Sequence, residues 1–186
     1  MPSLVGTKPN QVPTNGELGK LAFQDSVYTN LDIGTGISTG VGTICKAHAA
    51  INEGIYIVRI LIDLTGLNSG GTANDIIGVN GASNCYIARL PAQITVLGGR
   101  MTCLETPAGG DTDIDLYSAN EGTGAEDAAV TGLTETLLIN AGTQSVGTVT
   151  YLAADPTPNQ YLYLAGQSTS NATYTAGRFL IEIFGV

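Results

Sequence analysis

Two stretches of strict alternation constrain this chain more than anything else in it. In YIVRILIDL, Tyr56, Val58, Ile60 and Ile62 fall on one side of an extended backbone, and Ile57, Arg59, Leu61 and Asp63 on the other. In FLIEIF, Phe179, Ile181 and Ile183 oppose Leu180, Glu182 and Phe184. A period of two marks a half-buried strand, because successive side chains point to opposite faces. Further apolar runs follow the same logic: VGTICKAH (41–48), DIIGV (75–79), NCYIARL (84–90), QITVLGGRMTCLE (93–105), DIDLYS (113–118), ETLLIN (135–140), GTVTYLA (147–153) and NQYLYLAG (159–166). Turn-rich linkers such as LNSGGTAND, ETPAGGDTD and DPTPNQ separate them at the irregular spacing of an antiparallel sandwich with some long crossovers. Eight to ten strands are expected. With 43% hydrophobic residues, 12% charged and no Trp, the interior must be filled by Val, Ile, Leu and Tyr, which favour pleated strands.

The pattern predicts an all-β chain: an antiparallel jelly-roll-like β-sandwich over 34–186, preceded over 1–33 by an extended N-terminal arm and linker. A length of 186 residues suits one domain plus an arm. Short helices are expected only near GAEDAAV (124–130) and KAHAAINE (46–53), too few to build a βαβ rhythm. The arm is read from Pro2, Pro9 and Pro13 with Asn10, Asn15 and Gly16, a mix that blocks helix and favours extended or turn backbone. Fully extended, about 26 residues would reach roughly 85 to 95 Å, far enough to lie on a neighbour. Val5, Val12, Leu18, Leu21 and Phe23, with Lys8 and Lys20, are its candidate anchoring groups.

The net charge is −9, and the seven basic residues are scattered. Phosphate binding needs concentrated positive charge, so nucleic acid is not expected as a partner. The start MPSLVGTKPN lacks the basic and apolar regions of a secretory signal, and IYIVRILIDL is too short, and interrupted by Arg59, to span a bilayer. Synthesis in a cytoplasm without a membrane partner is the expectation. Cys45, Cys85 and Cys103 are odd in number and lack C-x-x-C spacing, which favours buried free thiols over a disulfide.

Few residue sets suggest chemistry. GISTG (36–40) matches a nucleophile elbow in letters, with Ser38 and His48 as would-be nucleophile and base, but the elbow needs a strand before and a helix after. Here strand-type residues follow, so a glycine-rich loop is expected and no enzyme activity. GTGISTG misses dinucleotide spacing, and no phosphate loop occurs. In DTDID, Asp111, Asp113 and Asp115 fall on one side of an extended segment. They read as a solvated strand edge charged against unwanted pairing, with a hard cation such as Ca²⁺ as the alternative. His48 and the cysteines do not make a zinc spacing, so no cofactor is expected. Tyr151, Tyr161, Tyr163 and Tyr174 read as sheet or subunit packing, with sugar stacking as the alternative.

The leader VGTKPNQVPTNGELGKLAFQDS resembles the N-terminal segment of virion structural proteins of tailed phages of cyanobacteria and marine bacteria. The C-terminal stretch, with TPNQYLYL followed by YTAGRFLI, is similar to the closing strands of small head-decoration, or cement, proteins of such phages. The middle of the chain shares only their β-rich character. The resemblance implies a jelly-roll-like domain on the outer capsid surface, made in the host bacterial cytoplasm. It also implies a homotrimer clamping neighbouring copies of the major capsid protein. Because the leader phrase is shared with tail and fibre components, a tail- or fibre-associated adhesin for host glycans is the alternative.

Overall fold

The computed structural model describes residues 27–38, 44–52, 54–167, 169 and 171–186. The strands are β1 (Val27–Asn30), β2 (Ile44–Asn52), β3 (Ile55–Asp63), β4 (Asn68–Ser69), β5 (Asp75–Ile76), β6 (Ala88–Arg89) and β7 (Val96–Ala108). They continue with β8 (Ile114–Ala119), β9 (Glu135–Ile139), β10 (Val149–Tyr151), β11 (Tyr161–Gly166), β12 (Ala172–Thr173) and β13 (Ala176–Gly185). A six-stranded sheet has the order β1-β2-β3-β13-β7-β10, and a five-stranded sheet has β5-β11-β8-β9 with β6 also on β11. β4 and β12 form a ribbon. All of these pairings are antiparallel. The chain is all-β, as the alternation predicts, and its sheets have the character of a sandwich.

Each of the ten apolar runs contains one strand. The three strands outside them are β1, β4 and β12, short strands of four residues or fewer that no apolar run marks. β1 falls inside the segment read as linker: Val27 to Asn30 pair with Ile51 to His48, so the sheet begins before residue 34.

Alternation in β3 and β13 divides the first sheet into two faces. Val58, Ile60 and Ile62 pair across with Ile183, Ile181 and Phe179, and these in turn with Gly99, Met101 and Cys103. Except for the glycine, all of these side chains are buried. Burial of one such aliphatic side chain is worth about 1.5–3 kcal/mol, so this face, shared across three long strands, dominates the sheet's contribution to the core. The second sheet is covered on both sides. Ile114, Leu116, Leu162 and Leu164 fill one face, while Tyr117 and Tyr163 on the other meet the segments around Asn74 and Glu121 through hydrogen bonds of 2.7 and 2.8 Å.

Both expected helices fail to form. Residues 46–52 of KAHAAINE lie in β2, with Ala47 and Ala49 buried and Lys46 exposed, because a complete ladder to β3 outweighs the helical preference of its alanines. In GAEDAAV the backbone is drawn to a neighbouring loop instead: Cys85 N–H donates to the Gly124 carbonyl at 2.8 Å and Ile76 N–H to Ala128 at 3.0 Å. Only a single 3-10 turn, Val130–Gly132, follows. A short helix that was not expected, α1 (Thr35–Ser38), occupies the GISTG region. Gly34 before it donates its N–H to the Tyr86 carbonyl at 2.9 Å. A Cβ at Gly34 would collide with the Asn84 carbonyl, so this close approach requires glycine.

Candidate interaction surfaces

The outward face of the six-stranded sheet carries a continuous row. Asn30, His48, Arg59, Glu182, Arg100 and Tyr151 are successive cross-strand partners from β1 to β10, and direct partners share a face. Arg59 Nε donates to Glu182 Oε1 at 3.0 Å, and Arg100 Nε and Nη2 donate to Glu182 Oε2 at 2.8 and 2.6 Å. The arginines stay about half exposed while Glu182 is only 6% exposed. Burial by itself would raise the Glu182 carboxyl, but the hydrogen bonds from Arg100 and Arg59 outweigh it and hold it below the ordinary carboxylate range. Asp63 is similar: burial opposes ionisation, and Arg178 at 2.8 Å together with Thr65 lowers its pKa.

Apolar rows flank this charged one. On one side Leu61 and Leu180 stand between Lys46 and Thr102, with Val149 beyond, and on the other lie Ala50, Ile57 and Phe184. Such residues on an open sheet face depart from the polar-out pattern of a solvated antiparallel sheet.

The edge of the same sheet offers a second surface. β1 leaves β2 after Asn30; Leu31 N–H still donates to Ala47 at 3.0 Å, and the chain then turns toward Tyr86. Beyond Ala47, no described strand pairs with β2 on that side. An open cleft of about 570 Å³ lies there, lined by Asn30, Leu31, Ile33, Cys45, Lys46, Ala47 and His48. Burial pushes the Cys45 thiol up to about 12, which suits packing rather than nucleophilic chemistry.

Comparison with protein-family models, with curated proteins and with solved structures finds no match.

The arm residues Val5, Lys8, Val12, Leu18, Lys20, Leu21 and Phe23 lie outside the described residues. The four tyrosines do not form one aromatic surface. Tyr151 is 67% exposed, at the end of the charged row, whereas Tyr163 and Tyr174 are interior. Tyr163 donates its hydroxyl proton to the Glu121 carbonyl at 2.8 Å. Tyr161 is half-buried, packed edge-on to Tyr86 at 4.8 Å, with the Arg89 guanidinium 5.2 Å from its ring centre. Period-two placement separates Tyr161 and Tyr163 from Leu162 but says nothing of what covers that side.

DTDID is not a solvated edge. It leads into β8, an inner strand between β11 and β9, and Asp111 and Asp115 are buried. Asp115 Oδ1 accepts from Ala141 N–H at 2.8 Å, and Asp111 Oδ1 accepts from Asp113 N–H at 3.0 Å. Burial raises the carboxyls of Asp113 and Asp115, and neighbouring aspartates add to the rise. Among the described residues no group of three or more His, Cys, Asp or Glu side chains is arranged to hold a metal ion. Ser38 ends α1 between two antiparallel strands, and His48 belongs to the outward row of the sheet. The three cysteines are free thiols. No described helix is long and apolar enough to cross a membrane.

The row through Arg59, Glu182 and Arg100 was not singled out from the sequence. Its signal was present: one charge at the centre of the outward face of each of two alternating strands, with Ile, Leu and Phe on either side.

Proposed function

We propose that the chain is a non-enzymatic phage head decoration, or cement, protein that binds the assembled capsid and clamps neighbouring major capsid proteins. In this reading it is a jelly-roll-like domain on the outer surface of the virion. It acts as a homotrimer, with residues 1 to 26 as an extended arm reaching onto neighbours. The leader and C-terminal phrases motivate the reading. The structural observation that carries it is that the leader runs directly into β1, the edge strand of the six-stranded sheet, beside the open cleft at β2. An arm starting there can add main-chain hydrogen bonds to an exposed strand edge of a neighbour without a preformed pocket. Several copies acting together raise the effective concentration of each contact, so a single contact can be weak.

Deletion of residues 1 to 26 tests the reading. Capsid occupancy in a reconstitution assay should fall at least tenfold while the truncated chain stays folded; unchanged occupancy removes the arm from the mechanism. The adhesin reading keeps one observation, the partly open cluster of Tyr86, Tyr161 and Arg89. Glycan-array binding that is lost in Tyr161→Ala would favour it.

A further inference from the structure

The two sheets differ in how their faces are covered. In the second, β8 and β11 are buried on both sides by segments of the same chain. In the first, the inward face is buried, but the outward face leaves Ile55, Val149 and Tyr151 exposed and Leu61, Leu180, Ile57 and Phe184 half covered. We infer that this outward face is covered by the same face of a second copy of this chain, related by a two-fold axis parallel to the strands between β3 and β13. The inference goes beyond the decoration reading and does not rest on it.

The register makes the face its own complement. A two-fold axis between β3 and β13 sets each β3 residue of one copy opposite the β13 residue that is its cross-strand partner. Leu61 then faces Leu180, and Ile57 faces Phe184. Arg59 faces Glu182, and Asp63 faces Arg178, so the charged positions of β3 and β13 meet opposite charge, while Arg100 on β7 falls opposite His48 on β2. The Leu61–Leu180 and Ile57–Phe184 pairs thus meet apolar partners, with Lys46 opposite Thr102 farther out on the first of these rows. Two sheets stacked in this way lie about 10 Å apart, with β3 and β13 of one copy aligned over β13 and β3 of the other, which lets the Leu and Phe side chains interdigitate.

Charge distribution favours this face over the rest of the molecule. It holds Lys46, Arg59, Arg100 and Arg178 against Asp63, Glu105 and Glu182. The other described acids lie in loops and in the second sheet. In a chain of net charge −9, two copies meeting here avoid bringing acidic surfaces together. Glu182 itself is already withdrawn from water, so the desolvation cost of pairing falls on the half-exposed Arg59, Arg100 and Arg178, two of which the two-fold sets opposite carboxylates. The area is adequate. Four long strands about 4.8 Å apart, each about 3.4 Å per residue over nine residues, present roughly 600 Å². β1 and β10 extend this toward the about 800 Å² per partner of a specific interface.

Light scattering on the full chain after size exclusion tests the pairing. The expected mass is twice the 19.1 kDa chain, or six chains if a threefold ring forms as well. Leu180→Arg should halve that mass while the far-ultraviolet circular dichroism and a cooperative melt are retained. A wild-type mass of one or three chains overturns the inference, as does a folded Leu180→Arg of unchanged mass. A second measurement covers the case in which Leu180→Arg fails to fold. Differently tagged Leu61→Cys and Leu180→Cys chains are mixed and treated with a short bismaleimide. A cross-linked heterodimer is expected, and its yield should drop to background when Glu121→Cys replaces Leu180→Cys; equal yields overturn the pairing.

Discussion

Glu182 sits where two opposing electrostatic effects meet. Its burial disfavours the charged form, and two arginine hydrogen bonds restore it with a surplus, so its folded pKa lies below the ordinary value near 4.5. A depressed folded pKa contributes stability above the unfolded value, and that stability is lost as pH falls through the folded one. Glu182→Gln should therefore be less stable than wild type at pH 7 by about 1 kcal/mol, a modest figure because the arginines remain half in water. The difference should shrink as pH falls below the unfolded value near 4.5 and vanish once pH is below the folded one; chemical denaturation along a descending pH series checks it. Asp113 has the opposite sign. Burial and the charge of Asp111 raise it above its usual 3.8, and its Oδ1 is buried without a hydrogen-bond partner. Its charge costs stability at neutral pH and the cost fades as it gains a proton. Asp113→Asn should raise Tm by roughly 1–3 °C at pH 7, with the gain disappearing by about pH 3. A lower Tm at pH 7 would contradict the assignment.

Among the elements, β13 matters most because it is the last strand in sequence yet lies between β3 and β7. The six-stranded sheet cannot close until β13 is in place. Ile181 on β13 is fully buried between Ile60 and Met101, so Ile181→Ala should cost about 2–5 kcal/mol, read as a shift in the denaturation midpoint. Amide exchange should be slowest in β3 and β13, paired on both sides, and faster in the edge strands β1 and β10. Equal protection in β1 and β13 would mean that β1 is not an edge in solution. KAHAAINE shows how element type is decided. Its alanines suit a helix, yet its alternation suits a strand, and the ladder to β3 settles the choice.

For the whole molecule, the described core closes among residues from Leu31 onward. A chain starting at Val27 should keep a cooperative melt within about 3 °C of full length, since every described core residue is retained. A larger loss would place residues 1 to 26 in the core. Alternation and turn chemistry in the sequence determined the all-β class, the apolar runs that hold ten of the thirteen described strands, and the two faces of β3 and β13, because each of these is local to a few residues. Tertiary structure alone decided that β13 enters between β3 and β7, and that Tyr163 and Tyr174 are interior while Tyr151 is exposed. It also decided that DTDID opens an inner strand, and that Arg59, Glu182 and Arg100 stand side by side. The physical reason is distance along the chain: a period of two states which side chains share a face. Which strand lies alongside, and what covers the face, depends on contacts between residues far apart in sequence.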